Sequence, residues 1–173
     1  MKGPWIETFV EALVSARTDQ QEDFAAVVDL LKVRKLMNGQ LHFIGNGGSA
    51  AIASHMAIDF LNKADFATRC YNDAAALTCL SNDYGYKDVF FRQLKFAPSD
   101  VLFAISSSGE SENIVCCAKE AALLGKVVTL SGFRFDNQLR QCGAYNFWVP
   151  SSNYGIVETV HLGLLHALLE AVQ

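Results

Sequence analysis

The chain has 173 residues, of which 51% are hydrophobic, and a formal net charge of −4. This length suits one compact domain with a core of its own, and we expect a single domain over residues 1–173. Lysines and arginines are scattered along a slightly acidic chain, which argues against nucleic acid as a partner and favours a small molecule or another protein.

Cysteine usage and hydropathy point to the cytoplasm. Glu7 and Glu11 interrupt the apolar residues near the N-terminus, which does not fit a signal peptide. No apolar run approaches the length of a membrane span, and we expect no membrane partner. The cysteines are odd in number and form no C-x-x-C pair, so we expect reduced, mostly buried thiols. They are Cys70, Cys79, Cys116, Cys117 and Cys142.

Two helices are predicted ahead of the first strand. Apolar residues recur at helical spacing over residues 4–15, with Pro4 at the first position, and again over residues 20–38, with Gly39 as the stop signal. Two helices provide more apolar surface than is needed to bury one face of a sheet. The surplus apolar surface of residues 4–38 indicates packing against another subunit, although simple cover of the sheet explains the pattern equally well.

A glycine-rich turn joins the first strand, residues 41–44, to a helix over residues 49–61. The turn reads Gly45-Asn46-Gly47-Gly48-Ser49-Ala50. Backbone N–H groups and the positive end of the helix dipole meet at such a turn, so we predict an anion-binding site. Two alternatives stay open. Gly45, Gly47 and Ala50 also fit a dinucleotide fingerprint with Asp73 as the ribose carboxylate, and Ser49 also fits a plain helix cap.

Strands and helices alternate through the rest of the chain. The predicted strands are residues 69–71, 101–105, 126–131 and 145–149. The predicted helices are residues 73–80, 87–96, a helix ending at 124, 137–142 and 155–172, with a polar turn over residues 81–86. This alternation predicts an α/β fold, in which a parallel sheet carries helices on both faces and ligands bind beyond the carboxyl ends of the strands.

A second polar loop also joins a strand to the start of a helix and offers hydrogen-bond donors to an anion. It follows the strand at residues 101–105 and contains four serines, Ser106, Ser107, Ser108 and Ser111. Their hydroxyls and the N–H groups of the next helix can donate to phosphate oxygens, so the two loops can converge on one phosphoester. Roles as caps and turn residues account for one or two of these serines but not for all four. The pattern favours a sugar phosphate over a dinucleotide.

The last helix combines an apolar surface with ionisable residues. Glu158, His161 and His166 lie in it, and burying such groups is costly unless they find partners. His55 and Asp59, one helical turn apart, share a face of an earlier helix. Residues 158 and 166 are roughly 12 Å apart along a helix axis, which permits a zinc or similar divalent cation site with His55 and Asp59. A metal-free hydrogen-bonded cluster is the alternative.

Together these residues resemble the sugar isomerase (SIS) family and, within it, the phosphoheptose isomerases. The resemblance rests on the glycine-rich turn with His55, on Asn82-Asp83-Tyr84-Gly85, on the serine loop and on Glu158 and His166 in the last helix. It implies a single SIS domain with a flavodoxin-like, doubly wound, five-stranded parallel sheet and two leading helices. It also implies a homotetramer that holds zinc and substrate between subunits.

The resemblance also implies roles for individual residues. The substrate-binding positions are Asn46, Gly47, Gly48, Ser49, Asn82, Asp83, Ser106, Ser107, Ser108 and Ser111. The metal-binding positions are His55, Asp59, Glu158 and His166. We expect Asp59 or Glu158 to remove a proton next to the carbonyl and His166 to return one. Asp59 stands where the family usually has glutamate, and Glu158 where it usually has glutamine.

Two functions of different class follow. The first is an aldose–ketose isomerase that converts sedoheptulose 7-phosphate to D-glycero-D-manno-heptose 7-phosphate for surface polysaccharide such as lipopolysaccharide, with no nucleotide cofactor. The alternative is a non-catalytic SIS protein that binds a phosphosugar or a replication-initiator partner. Relatives of that second kind lack the histidine and carboxylate set, which this chain keeps. A nicotinamide enzyme is a third and weaker hypothesis.

Overall fold

The computed structural model describes the backbone of residues 5–173 and the side chains of residues 6–15 and 20–173. Pro4, the predicted helix start, lies outside the described residues. The strands are β1 (Leu41–Gly45), β2 (Thr68–Cys70), β3 (Val101–Ser106), β4 (Lys126–Ser131) and β5 (Tyr145–Trp148). The α-helices are α1 (Trp5–Asp19), α2 (Gln21–Leu36), α3 (Gly47–Ala64), α4 (Ala74–Tyr84), α5 (Val89–Gln93), α6 (Glu112–Ala122) and α7 (Tyr154–Val172).

All five strands form one parallel sheet in the order β2-β1-β3-β4-β5. This confirms the predicted doubly wound, flavodoxin-like topology. Strands β1 and β3 are neighbours in the sheet, with Leu41 opposite Val101 and Gly45 opposite Ile105. The winding reverses between them, so the loops after β1 and β3 leave the sheet side by side at its carboxyl edge.

The sheet is buried on both faces. Alternate residues of β1 point to opposite sides, so Leu41 and Phe43 join a core cluster with residues of α2, α3 and α7. Ile44 joins a second cluster with residues of α5 and α6. All five residues of β1 and all six of β3 are buried, as expected for central parallel strands.

Four predicted helices differ from the observed ones. Helix α3 begins at Gly47 instead of residue 49, because Asn46 is already the extended N-cap residue. Helix α4 continues to Tyr84, so the expected polar turn is mostly helical and the chain turns at Gly85, whose φ is 85°. The predicted helix at 87–96 is a 3-10 turn, Tyr86–Asp88, followed by the short α5. The predicted helix at 137–142 is only a 3-10 turn, Arg140–Cys142.

Helix α7 is the most apolar helix of the fold. By length and composition it is long enough to cross a membrane, contrary to the expectation from the sequence. Leu165, Leu168 and Leu169 are fully buried against the sheet, which explains its composition as that of a core helix. The expectation of mostly buried thiols is also wrong: all five cysteines are free, but only Cys117 is buried.

Candidate active site

A cleft of about 420 Å³ opens at the carboxyl edge of the sheet, where β1 and β3 end. Its walls are the turn before α3, the serine loop before α6 and the first turns of α7. The structure therefore brings together eight of the ten predicted substrate-binding residues. The lining residues are Asn46, Gly47, Gly48, Ser49, Ser106, Ser107, Ser108, Ser111, Tyr154 and Glu158.

The glycines of the first loop have separate roles. A Cβ at Gly45 would overlap the backbone of Ser49, so the tight strand-to-helix turn requires glycine there. Gly47 has a φ of 55°, a left-handed conformation that glycine adopts without strain. A Cβ at Gly48 would overlap the Glu158 carboxylate. The N-terminus of α3, with its unpaired backbone N–H groups, thus opens directly into the cleft.

The serine loop offers a hydroxyl that no described residue engages. Ser106 Oγ donates to Ser111 Oγ at 3.1 Å, and Ser108 Oγ accepts from the Glu110 N–H at 3.2 Å. Ser107 is only 5% exposed, and among the described residues its Oγ has no hydrogen-bond partner. Because a buried hydroxyl without a partner is costly, Ser107 is suited to a ligand oxygen.

Asn46 is held at the cleft by two residues that the sequence analysis did not single out. Its amide pairs with that of Asn113, Nδ2 to Oδ1 at 2.8 Å and Oδ1 to Nδ2 at 3.0 Å. Tyr86 donates its hydroxyl to Asn46 Oδ1 at 3.0 Å. A buried polar residue at a helix start is a weak signal on its own, so Asn113 could not be found by pattern.

Asn82 and Asp83 do not line the cleft. Both are exposed near the end of α4, where Asn82 Nδ2 donates to Asp83 Oδ1 at 3.0 Å. The chain turns at Gly85, and the residue after the turn, Tyr86, is the one that brings this segment to the cleft. Asp73, the candidate ribose carboxylate, caps α4 by accepting from the Ala76 N–H at 2.9 Å.

A second cluster lies further along α3 and α7. His55, Asp59 and His166 offer ligand atoms that all lie within 4.8 Å of one another. Asp59 Oδ2 is 3.7 Å from His55 Nε2, 4.0 Å from His166 Nδ1 and 3.0 Å from Lys63 Nζ. The Lys63 hydrogen bond, with the charge of Lys63 and the two imidazoles, holds the pKa of Asp59 below its usual value. Asp59 is therefore ionised at neutral pH.

This donor set fits a divalent cation. Two imidazoles and one carboxylate are a ligand set that zinc accepts, and three protein ligands leave a position open. Glu158, the predicted fourth ligand, does not belong to the group and lies in the cleft instead. The reason is the spacing along α7, since residues 158 and 166 are about 12 Å apart along the helix axis.

Two further residues of α7 differ in their surroundings. His161 faces the core, where it is fully buried and its Nε2 lies 3.1 Å from the Ser131 carbonyl oxygen. Burial lowers its pKa to about 4, so it is a neutral core histidine. Tyr154 lines the cleft one turn before Glu158, and its ring meets that of Phe133 edge-on at 4.9 Å. Phe133 has a φ of 56°, a strained conformation next to the cleft.

Comparisons with known proteins agree on one family. The SIS domain profile matches residues 4–132. A phosphoheptose isomerase from Solidesulfovibrio magneticus is 34% identical over 96% of this chain and 87% of its own length. The solved phosphoheptose isomerase of Neisseria gonorrhoeae superimposes with a TM-score of 0.87 at 28% identity, covering 96% of this chain and 94% of that one. The enzyme of Francisella tularensis gives 0.86 at 25% identity, covering 97% and 94%.

Proposed function

Since the chain belongs to the SIS domain family and, within it, to the phosphoheptose isomerases, we propose that it converts sedoheptulose 7-phosphate to D-glycero-D-manno-heptose 7-phosphate. It is then an aldose–ketose isomerase. The observation that carries the proposal is the pairing of a cleft lined by serines and by the N-terminus of α3 with a separate imidazole–carboxylate cluster.

The separation of these two features suits a long substrate. Helices α3 and α7 both begin at the cleft and pack against each other. His55 follows Gly47 by eight residues, as His166 follows Glu158, so the cluster lies about 12 Å along both helices. A seven-carbon sugar that places its phosphate among the serines can extend its carbonyl end toward the cluster. Binding energy at the phosphate then orients the reacting carbons.

We assign the proton transfers to the cluster. Asp59, ionised beside Lys63, removes the proton from the carbon next to the carbonyl, and His166 returns a proton to the former carbonyl carbon of the enediol, while the hydroxyl proton passes from the first oxygen, which becomes the new carbonyl, to the second. Glu158 lies beside the phosphate-binding residues and is placed to accept hydrogen bonds from the sugar hydroxyls. Of the two carboxylates considered as the base, we therefore assign that role to Asp59 and a binding role to Glu158.

A divalent cation such as zinc would be held by His55, Asp59 and His166 and would supply Lewis-acid polarisation at the carbonyl end of the substrate. We further propose that the protein is a cytoplasmic homotetramer, with residues 4–38 contributing to subunit packing. Its product would feed the synthesis of surface polysaccharide.

The test is an isomerase assay that follows new aldose by NMR, with and without chelator. We expect Asp59→Asn and His166→Ala to lose at least about a hundredfold in kcat, as removal of a general base or acid does, and Glu158→Gln to act mainly on KM. Glu170→Gln changes an exposed carboxylate at the end of α7 and should leave both constants unchanged.

Full activity in His166→Ala would contradict the assignment of His166. A loss of kcat in Glu158→Gln with full activity in Asp59→Asn would move the base to the cleft. Binding of the sugar phosphate without turnover in the wild type would support the non-catalytic alternative.

A further inference from the structure

The orientation of the Asn46 side-chain amide follows from one backbone hydrogen bond. The Ile114 N–H is shared between the Ser111 carbonyl oxygen and the side-chain amide of Asn113, each at 3.0 Å; because an N–H can only donate, the amide atom that it meets is Asn113 Oδ1 and not the Nδ2 donor. Asn113 Nδ2 then faces Asn46, which must present its oxygen there. Asn46 Nδ2 consequently faces Asn113 Oδ1, and the Tyr86 hydroxyl must act as a donor.

This arrangement uses three of the four hydrogen-bonding positions of the Asn46 amide. Its oxygen accepts from Asn113 and Tyr86, and one of its two N–H groups donates to Asn113. The second N–H has no partner among the residues that the structure describes, and Asn46 lines the cleft. Asn113 is only 3% exposed, so its side chain is fixed by its surroundings.

We propose that Asn113 and Tyr86 are positioning residues, which act through Asn46 by locking its amide so that a free N–H is available to an oxygen of the bound sugar phosphate. The inference deepens the proposed function and rests on it. Asn46 follows β1, whereas Asn113 belongs to the helix after the serine loop, so the same pair also fixes the distance between the two anion-binding loops.

A thermodynamic cycle separates this role from a merely structural one. Binding of sedoheptulose 7-phosphate and of inorganic phosphate is measured by calorimetry for the wild type, Asn113→Ser, Asn46→Ser and the double variant. We expect each single variant to weaken binding of the sugar phosphate about tenfold, which corresponds to one lost hydrogen bond or a little more. In the Asn46→Ser background, Asn113→Ser should add almost nothing.

Tyr86 provides a variant that leaves the core intact, since it is 52% exposed in the structure. Tyr86→Phe removes one of the two donors to Asn46, and we expect about threefold weaker binding with an unchanged kcat at saturation. Tyr84→Phe is the matched control. Tyr84 lies in the same segment and is 51% exposed, but its ring packs under Arg92, whereas the Tyr86 hydroxyl donates to Asn46.

The outcomes separate the two proposals. Additive effects in the double variant, or equal losses in Tyr86→Phe and Tyr84→Phe, would overturn the positioning role. A wild type that binds the sugar phosphate but does not turn it over contradicts the proposed isomerase alone, because the cycle is measured on binding. A wild type that binds neither ligand contradicts both.

The two ligands also show which oxygen the Asn46 N–H binds. If the variants weaken binding of both ligands, the N–H donates to the phosphate. If they weaken binding of the sugar phosphate alone, the N–H donates to a hydroxyl.

Discussion

At the scale of single residues, Gly48 shows how a missing side chain shapes the site. A Cβ there would overlap the Glu158 carboxylate, which is the flexible end of its side chain. Alanine is also the better helix former in the first turn of α3. We therefore expect glycine at this position to matter for the placement of the Glu158 carboxylate and not for the stability of the fold.

We predict that Gly48→Ala keeps its fold and loses affinity. The free energy of unfolding should stay within about 1 kcal/mol of the wild type, while sugar phosphate binding weakens about tenfold because Glu158 is displaced. Denaturant unfolding and calorimetry measure the two. Gly155→Ala is the control, because a Cβ there meets its nearest atom only at 3.4 Å. Equal affinity of Gly48→Ala and wild type would contradict the argument.

The buried His161 makes stability depend on pH. Its folded pKa of about 4 lies below the unfolded value of 6.5, so the unfolded chain binds the proton more readily. The full contribution is present above pH 6.5 and is lost as the pH falls toward 4, about 3 kcal/mol in all. Burial also lowers the pKa of His42, which adds to the loss in the same direction.

The check is denaturant unfolding of wild type and His161→Gln between pH 7 and pH 4. Glutamine keeps a donor near the Ser131 carbonyl and does not titrate, so we expect the stability gap between the two proteins to narrow as the pH falls. A gap that stays constant over this range would show that His161 is not the titrating group.

At the scale of elements, side chains at the start of α2 cover the β5 edge of the sheet. Gln20 and the backbone of Trp148 exchange two hydrogen bonds, 2.8 Å from Nε2 to the carbonyl oxygen and 2.6 Å from the N–H to Oε1. Asp23 Oδ2 accepts from the Asn146 N–H at 3.0 Å. These contacts occupy the groups of β5 that a further strand would use.

We predict that Asp23→Ala destabilises the fold by about 1 kcal/mol, because it removes the acceptor of a backbone N–H. Glu22→Ala, an exposed residue of the same turn, should cost less than about 0.5 kcal/mol. Chemical denaturation gives both values. The edge contacts would be of no consequence if the two variants proved equally stable.

The order of elements was predictable and the detail of the site was not. Apolar runs and glycine-rich turns are local signals, and they predicted every strand of the sheet and the two loops that line the cleft. The helix at Asn82 and Asp83 was missed because Ser, Asn and Asp favour turns, whereas here only Gly85 breaks the helix.

Contacts between distant segments lie beyond sequence patterns. The pair formed by Asn46 and Asn113 joins residues 67 positions apart, and neither has a spacing that marks the contact. Glu158 and His166 share a helix, but which neighbour each one meets depends on where α3 packs. Periodicity gives the face of a helix and leaves its tertiary partners undetermined.

At the scale of the whole molecule, the first helix leaves an apolar stripe on the surface. Ile6, Val10 and Leu13 recur at helical spacing, and Ile6 is 78% exposed. Helix α1 packs against α7 and its neighbours through Phe9 and Ala12, and Leu13 lies at the margin of the stripe beside Gly163 of α7. Exposed apolar side chains at helical spacing favour the proposed subunit packing through residues 4–38 over simple cover of the sheet.

We predict that the double variant Ile6→Ser with Val10→Ser dissociates the proposed homotetramer, because each serine removes apolar area from the interface and leaves a hydroxyl to be buried. Analytical ultracentrifugation should show a smaller mass than for the wild type at the same concentration. Leu123→Ser is the matched control, since Leu123 is 79% exposed at the end of α6 and far from the stripe in sequence. If the site lies between subunits, isomerase activity per chain falls with the mass. An unchanged mass in the double variant would assign the stripe to another role.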